Sequence, residues 1–177
     1  MSEAATSGMQ RRASRTISRA RPGSVIGVEV EALPGSMPEM YTADDFVAIA
    51  AWARAPGAAV LLRPGRGLNG AVADGVEHLA GEGFDQVIVA HADLPLATTL
   101  GWLADFDGVT LVPDRHDDGT NVACVPAAAG FTFAYGAGSF ARHCAEAERL
   151  GLALRIERDV PLGWDVDVPA DLTVLSQ

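Results

Sequence analysis

The stretch Phe84–Asp93, FDQVIVAHAD, limits the fold more than any other part of this chain. Its centre, Val87-Ile88-Val89-Ala90, is apolar at every position. A strand with one wet face alternates polar and apolar residues, and a strand covered on both faces does not. The run is far shorter than a membrane span. It therefore predicts a strand buried between two cores, the pattern of a parallel sheet. The same run ends on a carboxylate, Asp93, followed by Leu94-Pro95. Asp93 either caps the element begun at Pro95 or holds a ligand.

The other segments agree with a layered fold. Ser24–Leu33 reads as a strand, broken by Leu33-Pro34-Gly35. Thr42 and Asp45 have near capping-box spacing, and Phe46, Ile49, Ala50 and Ala53 follow at helical spacing up to Pro56-Gly57. Ala58–Leu62 is a short buried strand, and Leu68, Val72, Val76 and Leu79 form one helical face that ends at Gly81. A short helical stretch is expected around Thr99–Ala104. Gly108–Asp114 and Thr120–Pro126 read as neighbouring strands joined by a polar loop. Tyr135–Ser139 precedes a helix with Phe140, Cys144 and Ala147 inward, and Leu152–Glu157 is a late strand. Strands alternating with helices indicate an α/β fold with a mainly parallel sheet, in which ligands bind beyond the carboxyl ends of the strands. Asp93 falls at such an end.

Length and charge narrow the class. The 177 residues suit a single domain, expected over 24–177 behind a basic, flexible tail over 1–23. That tail holds Arg11, Arg12, Arg15, Arg19 and Arg21 but no apolar run, so it is not a secretory signal, and a cytoplasmic protein is expected. The net charge is −10, concentrated after residue 22, which argues against nucleic acid as the main partner. Cys124 and Cys144 lack metal-ligand spacing and read as free buried thiols. All 13 basic residues are arginine; the chain has no lysine.

Several short segments offer chemistry. In Trp164–Leu172, WDVDVPADL, Asp165 and Asp167 alternate and face opposite sides if extended, while Asp171 reads as a first-turn carboxylate. A second carboxylate from a segment remote from Asp93 is what Mg²⁺ needs, since it takes one or two carboxylates plus substrate oxygens and water. In Tyr135–Phe140, YGAGSF, Gly136 and Gly138 admit a close ligand, and Ser139 at a helix N-cap suits an anion; an ordinary glycine turn is the alternative. Thr120 follows Gly119 in DGTN, a second hydroxyl or a plain hairpin turn. The loop Gly65–Val72 lacks the lysine of a P-loop, and Asn69 in it is either a helix N-cap or a base or ribose contact. His78 and His143 are expected to be partly exposed, His116 lies in the polar loop, and His91 reads as a packed strand histidine. GAGSF lacks the spacing of a nucleophile elbow, so a serine hydrolase is not indicated.

Taken together, HADLPLA, DGTN, YGAGSF and WDVDVPADL resemble the 2-phospho-L-lactate guanylyltransferase family of coenzyme F420 biosynthesis, from about Tyr41 to Leu172. The resemblance implies a Rossmann-like, glycosyltransferase-A-like nucleotidyltransferase of three layers. It implies transfer of GMP from GTP to 2-phospho-L-lactate, phosphoenolpyruvate or a similar acid, with release of pyrophosphate. It further implies Mg²⁺ on Asp93 and Asp167, with Asp165 the lesser ligand; the acceptor phosphate on Thr120, Gly136 and Ser139; and the nucleotide near Leu68 and Asn69. Such enzymes begin with a strand and a basic, glycine-bearing loop, often with a lysine, and residues 1–40 show no such unit. The expected partners are the phospho-acid and GTP, with no nucleic acid and no membrane, and a homodimer is the assembly to test. Two other readings follow from the same residues: a truncated, non-catalytic binder of a phospho-acid or a partner chain, and a nucleotidyltransferase with another acceptor.

Overall fold

In the computed structural model the described residues are 14–18 and 25–29, whose backbone alone is placed, together with 51, 54, 59–61, 66–168 and 170–172. The strands are β1 (Ser14–Ser18), β2 (Val25–Glu29), β3 (Ala59–Leu61), β4 (Gln86–His91), β5 (Val109–Pro113), β6 (Thr120–Pro126) and β7 (Leu154–Ile156). The helices are α1 (Gly67–Gly81), α2 (Ser139–Arg149), a short α3 (Val160–Gly163), and a 3-10 turn at Gly101–Asp105. Ala51 and Arg54 are helical; the rest of the helix expected from Phe46, with its capping box and its Pro56-Gly57 stop, lies outside the described residues.

The strands form one sheet in the order β3-β2-β1-β4-β6-β5-β7. Here the structure corrects the sequence. β4 is flanked by β1 and β6, and both are antiparallel to it. Among the described strands only β2–β3 and β5–β7 pair in parallel, although β2, β3, β4, β5 and β7 share one direction. The sheet is mixed. A continuous apolar run reports burial on both faces and says nothing about the direction of the neighbours, so the inference to parallel pairing was too strong. β1 is the second correction, because it lies within the stretch read as a tail. Its arginine neighbours obscure Thr16 and Ile17, which are β-branched residues suited to a strand. Residues 1–13 and 19–24 lie outside the described residues.

Both faces of β4 are covered, as the sequence requires. Val87 and Val89 join Val109 and Leu111 of β5, Ala123 and Val125 of β6, and the inward residues Val72, Val76 and Leu79 of α1 and Phe140 and Ala147 of α2. Ile88 and Ala90 face the other way, with Val122 and Cys124 of β6, Val112, Leu103 and Leu162. Each fully buried Val or Leu contributes about 1.5–3 kcal/mol, so these two clusters fix β4 at the centre. Arg155 of β7 stitches the 3-10 turn to the sheet: it donates to Leu103 O at 3.0 Å and Thr110 Oγ1 at 3.1 Å, and stacks 5.1 Å from the Phe106 ring. Among the described residues no helix is long and apolar enough to cross a membrane.

Gly108 marks the tightest junction. The Val109 N–H donates to the Ala153 carbonyl at 2.8 Å, and a Cβ on Gly108 would lie 2.3 Å from that oxygen. Backbone cannot yield as a flexible side chain can. Gly108→Ala is expected to lower stability by about 1–3 kcal/mol, read from urea unfolding midpoints; an unchanged midpoint would contradict this packing of β7.

Candidate active site at the carboxyl edge of the sheet

β4 ends at His91, and Asp93 is the first carboxylate beyond the buried run. The C-terminal segment is drawn to it by the backbone, where the Val166 N–H donates to the Asp93 carbonyl at 3.0 Å. That bond brings Asp93 beside Asp165 and Asp167, which the sequence could pair only by analogy. One oxygen of Asp93 is shielded from solvent. Asp165 and Asp167 differ as their alternation predicts: Asp165 is buried and Asp167 exposed.

Arg115 binds two of the carboxylates of the C-terminal segment. Its guanidinium donates to the Asp165 carbonyl at 2.8 Å and to its carboxylate at 3.2 Å, and to Asp171 Oδ1 at 2.9 Å. The ring of Trp164 lies beneath it, 4.9 Å away. Asp165 is therefore committed to Arg115, and the structure separates it from Asp167. The other Asp171 oxygen accepts the N–H groups of Asp167 and Val168, both at 2.9 Å, and closes the turn that presents Asp167. These N–H bonds, with Arg115 adding to them against burial, lower the Asp171 pKa. This is the turn carboxylate that the sequence placed there. Among the described residues no three or more His, Cys, Asp or Glu side chains form a metal-binding group. Mg²⁺ needs no larger protein set, since it takes one or two carboxylates and completes its shell with substrate oxygens and water.

β6 runs against β4, so its first residue, Thr120, lies at the same edge. The preceding loop is organised by Asp114, whose carboxylate accepts from His116, Asp118 and Gly119 N–H groups at 2.8, 3.0 and 2.7 Å. Burial alone would raise its pKa, but these bonds outweigh it and the net shift is downward. The hairpin reading of DGTN is therefore correct as structure, and it is this hairpin that delivers Thr120.

The glycine loop before α2 meets Thr120. Gly136 and Gly138 have φ of 118° and 70°, which favours glycine. The helix N-cap is Gly138 rather than the expected Ser139; the serine begins the helix, is buried, and accepts the Thr120 N–H at 3.0 Å. Arg142, which the sequence reading missed, gathers the loop carbonyls: it donates to Ala134 O at 2.8 Å, Ala137 O at 2.7 Å and Gly136 O at 3.4 Å. Asp118 accepts the Gly138 N–H at 3.1 Å. Asn69 is not an N-cap, since that position is Arg66; its Oδ1 accepts the Tyr135 N–H at 2.7 Å and ties the start of α1, including half-buried Leu68, to the glycine loop. His91 packs 5.1 Å from the Tyr135 ring, joining the Asp93 side of the edge to the loop side.

His143 corrects a further expectation, being fully buried rather than partly exposed. It lies one helical turn after Ser139, facing the loop, a position that only α2's docking reveals. Nε2 accepts the Ala134 N–H at 2.9 Å and Nδ1 lies 2.9 Å from Thr120 Oγ1. Burial first, then the charges of Arg142 and His91, pushes the ring's pKa down to about 4, against a smaller opposing effect of Glu146. His78 and His116 are exposed. Cys124 is buried and Cys144 half-buried, both free thiols as expected.

A family model described as "Guanylyl transferase CofC like" matches residues 41–176. Among named relatives, a phosphoenolpyruvate guanylyltransferase of Sphaerobacter thermophilus is 42% identical over 125 residues, covering 68% of this chain and 60% of the relative. Another so named, from Roseiflexus castenholzii, is 41% identical over 93 residues, covering 51% and 44%. This chain thus spans about three-fifths of the first relative's length. A solved structure from Desulfovibrio desulfuricans G20, named for nucleotide-diphospho-sugar transfer, superposes with a TM-score of 0.56 at 19% identity, covering 76% of this chain and 61% of that one; it speaks for the fold alone.

Two stability measurements follow from this geometry. The His143 pKa is depressed from 6.5 to about 4 on folding, so between those values the unfolded chain binds more protons. Stability is then full above the upper value and falls by about 3 kcal/mol as pH drops to the lower one. Urea midpoints across that range, compared with His143→Gln, should show the slope in the parent and a shallower one in the variant. Arg115→Met should cost about 1–2 kcal/mol, because it leaves buried Asp165 and Asp171 without their shared cation; an unchanged midpoint would dismiss Arg115 as the organiser of the turn.

Proposed function

Because the chain belongs to the CofC-like guanylyl transferase family, we propose that it transfers GMP from GTP to a phosphorylated three-carbon acid, a step of coenzyme F420 biosynthesis. Phosphoenolpyruvate is the favoured acceptor, in keeping with the names of its relatives, and 2-phospho-L-lactate is the runner-up. The observation that carries the reading is the backbone bond between Val166 and Asp93. It draws the segments that carry Asp93 and Asp167 together at one sheet edge, beside a glycine loop and two hydroxyls.

Asp93 and Asp167 would hold Mg²⁺, which when bound supplies positive charge against the phosphates of both substrates. The acceptor phosphate is assigned to Thr120, Gly136 and Ser139, and the nucleotide to the Leu68-Asn69 end of α1, which Asn69 holds beside the glycine loop. In the reaction an acceptor phosphate oxygen attacks the α-phosphorus of GTP. A new P–O bond forms, the bond between the α-phosphorus and the bridging oxygen breaks, and pyrophosphate leaves. The acceptor is already ionised near neutral pH, so no proton has to be removed. The protein's share is alignment of two polyanions and the placing of N–H and O–H donors around them. Such a protein works in the cytoplasm, where GTP is found.

The test is release of phosphate from GTP, Mg²⁺ and phosphoenolpyruvate or 2-phospho-L-lactate, coupled through pyrophosphatase. Absence of release with every acid would refute catalysis by this chain. Asp93→Asn and Asp167→Asn are each expected to reduce turnover by about 100-fold or more while leaving the unfolding midpoint close to that of the parent. Asp165→Asn should act on stability first, through Arg115, and full turnover in Asp167→Asn would move the metal role away from that residue.

A further inference from the structure

The hydrogen bonds around His143 have a fixed direction. The Ala134 N–H donates to Nε2, so that nitrogen carries the lone pair, and in the neutral ring the proton resides on Nδ1. Nδ1 faces Thr120 Oγ1 at 2.9 Å, so the imidazole donates and the hydroxyl accepts. One residue pair further on, the Thr120 N–H donates to Ser139 Oγ at 3.0 Å. Both hydroxyls thus receive a hydrogen bond from within the protein, and neither donates to another described residue. Each keeps its own proton to give, at the point where β6, the glycine loop and α2 meet.

We infer that His143 is a positioning residue: it locks Thr120 as a hydrogen-bond donor toward the acceptor's phosphate, while the Thr120 amide does the same for Ser139. The inference rests on the assignment of Thr120 and Ser139 to the acceptor phosphate made above. A threonine hydroxyl free to rotate can turn either a lone pair or a proton to a dianion, and only the proton attracts it. With the acceptor side of Oγ1 filled by Nδ1–H, the proton turns away from the ring. Protonation of His143 would set an N–H against the Ala134 N–H, so the ring stays neutral and conveys orientation rather than charge. This separates His143 from a general base, for which the reaction has no need, and from a cation that binds phosphate directly.

Histidine ¹⁵N NMR on the full chain is expected to show His143 as the Nδ1–H tautomer, and an Nε2–H tautomer overturns the inference. Calorimetry with phosphoenolpyruvate supplies the functional half. Thr120→Val, which removes the hydroxyl but keeps the shape, and His143→Phe should each weaken binding by about tenfold, with Thr120→Ser within about twofold of the parent. The double variant Thr120→Val/His143→Phe should be no weaker than either single one, because both remove the same oriented donor. Additive losses, or unchanged binding in folded His143→Phe beside a weakened Thr120→Val, refute the positioning role and leave the phosphate assignment standing. No binding by the parent, or unchanged binding in both Thr120→Val and Ser139→Ala, overturns the phosphate assignment and the inference with it. If His143→Phe does not fold, the His143 Nδ1 signal decides: phosphoenolpyruvate should shift it in the parent and in Thr120→Ser but not in Thr120→Val, and a shift that persists in Thr120→Val overturns the inference.

Discussion

Two-sided burial of β4 is the constraint from which the rest follows. Val87 and Val89 are committed to one core, and Ile88 and Ala90 to the other, so the middle of the strand carries no polar side chain. Chemistry can be placed only where the strand leaves the sheet. Asp93 stands there, and the antiparallel neighbour β6 enters at the same edge with Thr120. The Val166–Asp93 bond then adds the C-terminal segment. Three parts of the chain, remote in sequence, converge because one strand is covered on both sides.

Charge at this edge is rationed by arginine. Four carboxylates, from Asp93, Asp165, Asp167 and Asp171, crowd one end of a chain whose net charge is −10. Arg115 takes Asp165 and Asp171. Arg142 acts on the other side of the edge: its guanidinium is bound by the carbonyls of the glycine loop. With those oxygens gathered on one side, the loop's exposed surface is less repulsive to an anion. The two arginines thus shape the edge through what they occupy.

What could be read from the sequence depended on how local the cause was. Core strands, the helices around Val76 and Phe140, and the pairing of β5 with β6 are written in periodicity and turn residues, and they appear where expected. The place of Asp93 at the sheet edge was legible because a carboxylate at the end of an apolar run is locally anomalous. Strand direction was not, because hydrophobicity encodes burial and the chain's path decides direction. β1 escaped notice because five arginines near it suggested a solvated tail. Arg115, Arg142 and His143 were invisible as site residues for a different reason. Each acts through partners 5 to 56 positions away or across a loop, and nothing in their immediate neighbours distinguishes them from surface arginines or a helix histidine.

The end of α2 alone is a poor anion site, and this is why the orientation of hydroxyls matters. The Gly138 N–H, the group a helix terminus would offer, is already held by Asp118. A phosphate approaching there meets a carboxylate first. The Thr120 amide is likewise engaged, by Ser139. With these two amides taken, the two hydroxyl protons are donors still open at the junction of β6 and α2. A hydroxyl is an ambiguous group, able to attract an anion or repel it, and becomes selective only when its other role is filled. His143 fills that role for Thr120 and Thr120's backbone for Ser139, so in the proposed acceptor site a neutral, buried network would favour a phosphate where a helix dipole facing Asp118 would not.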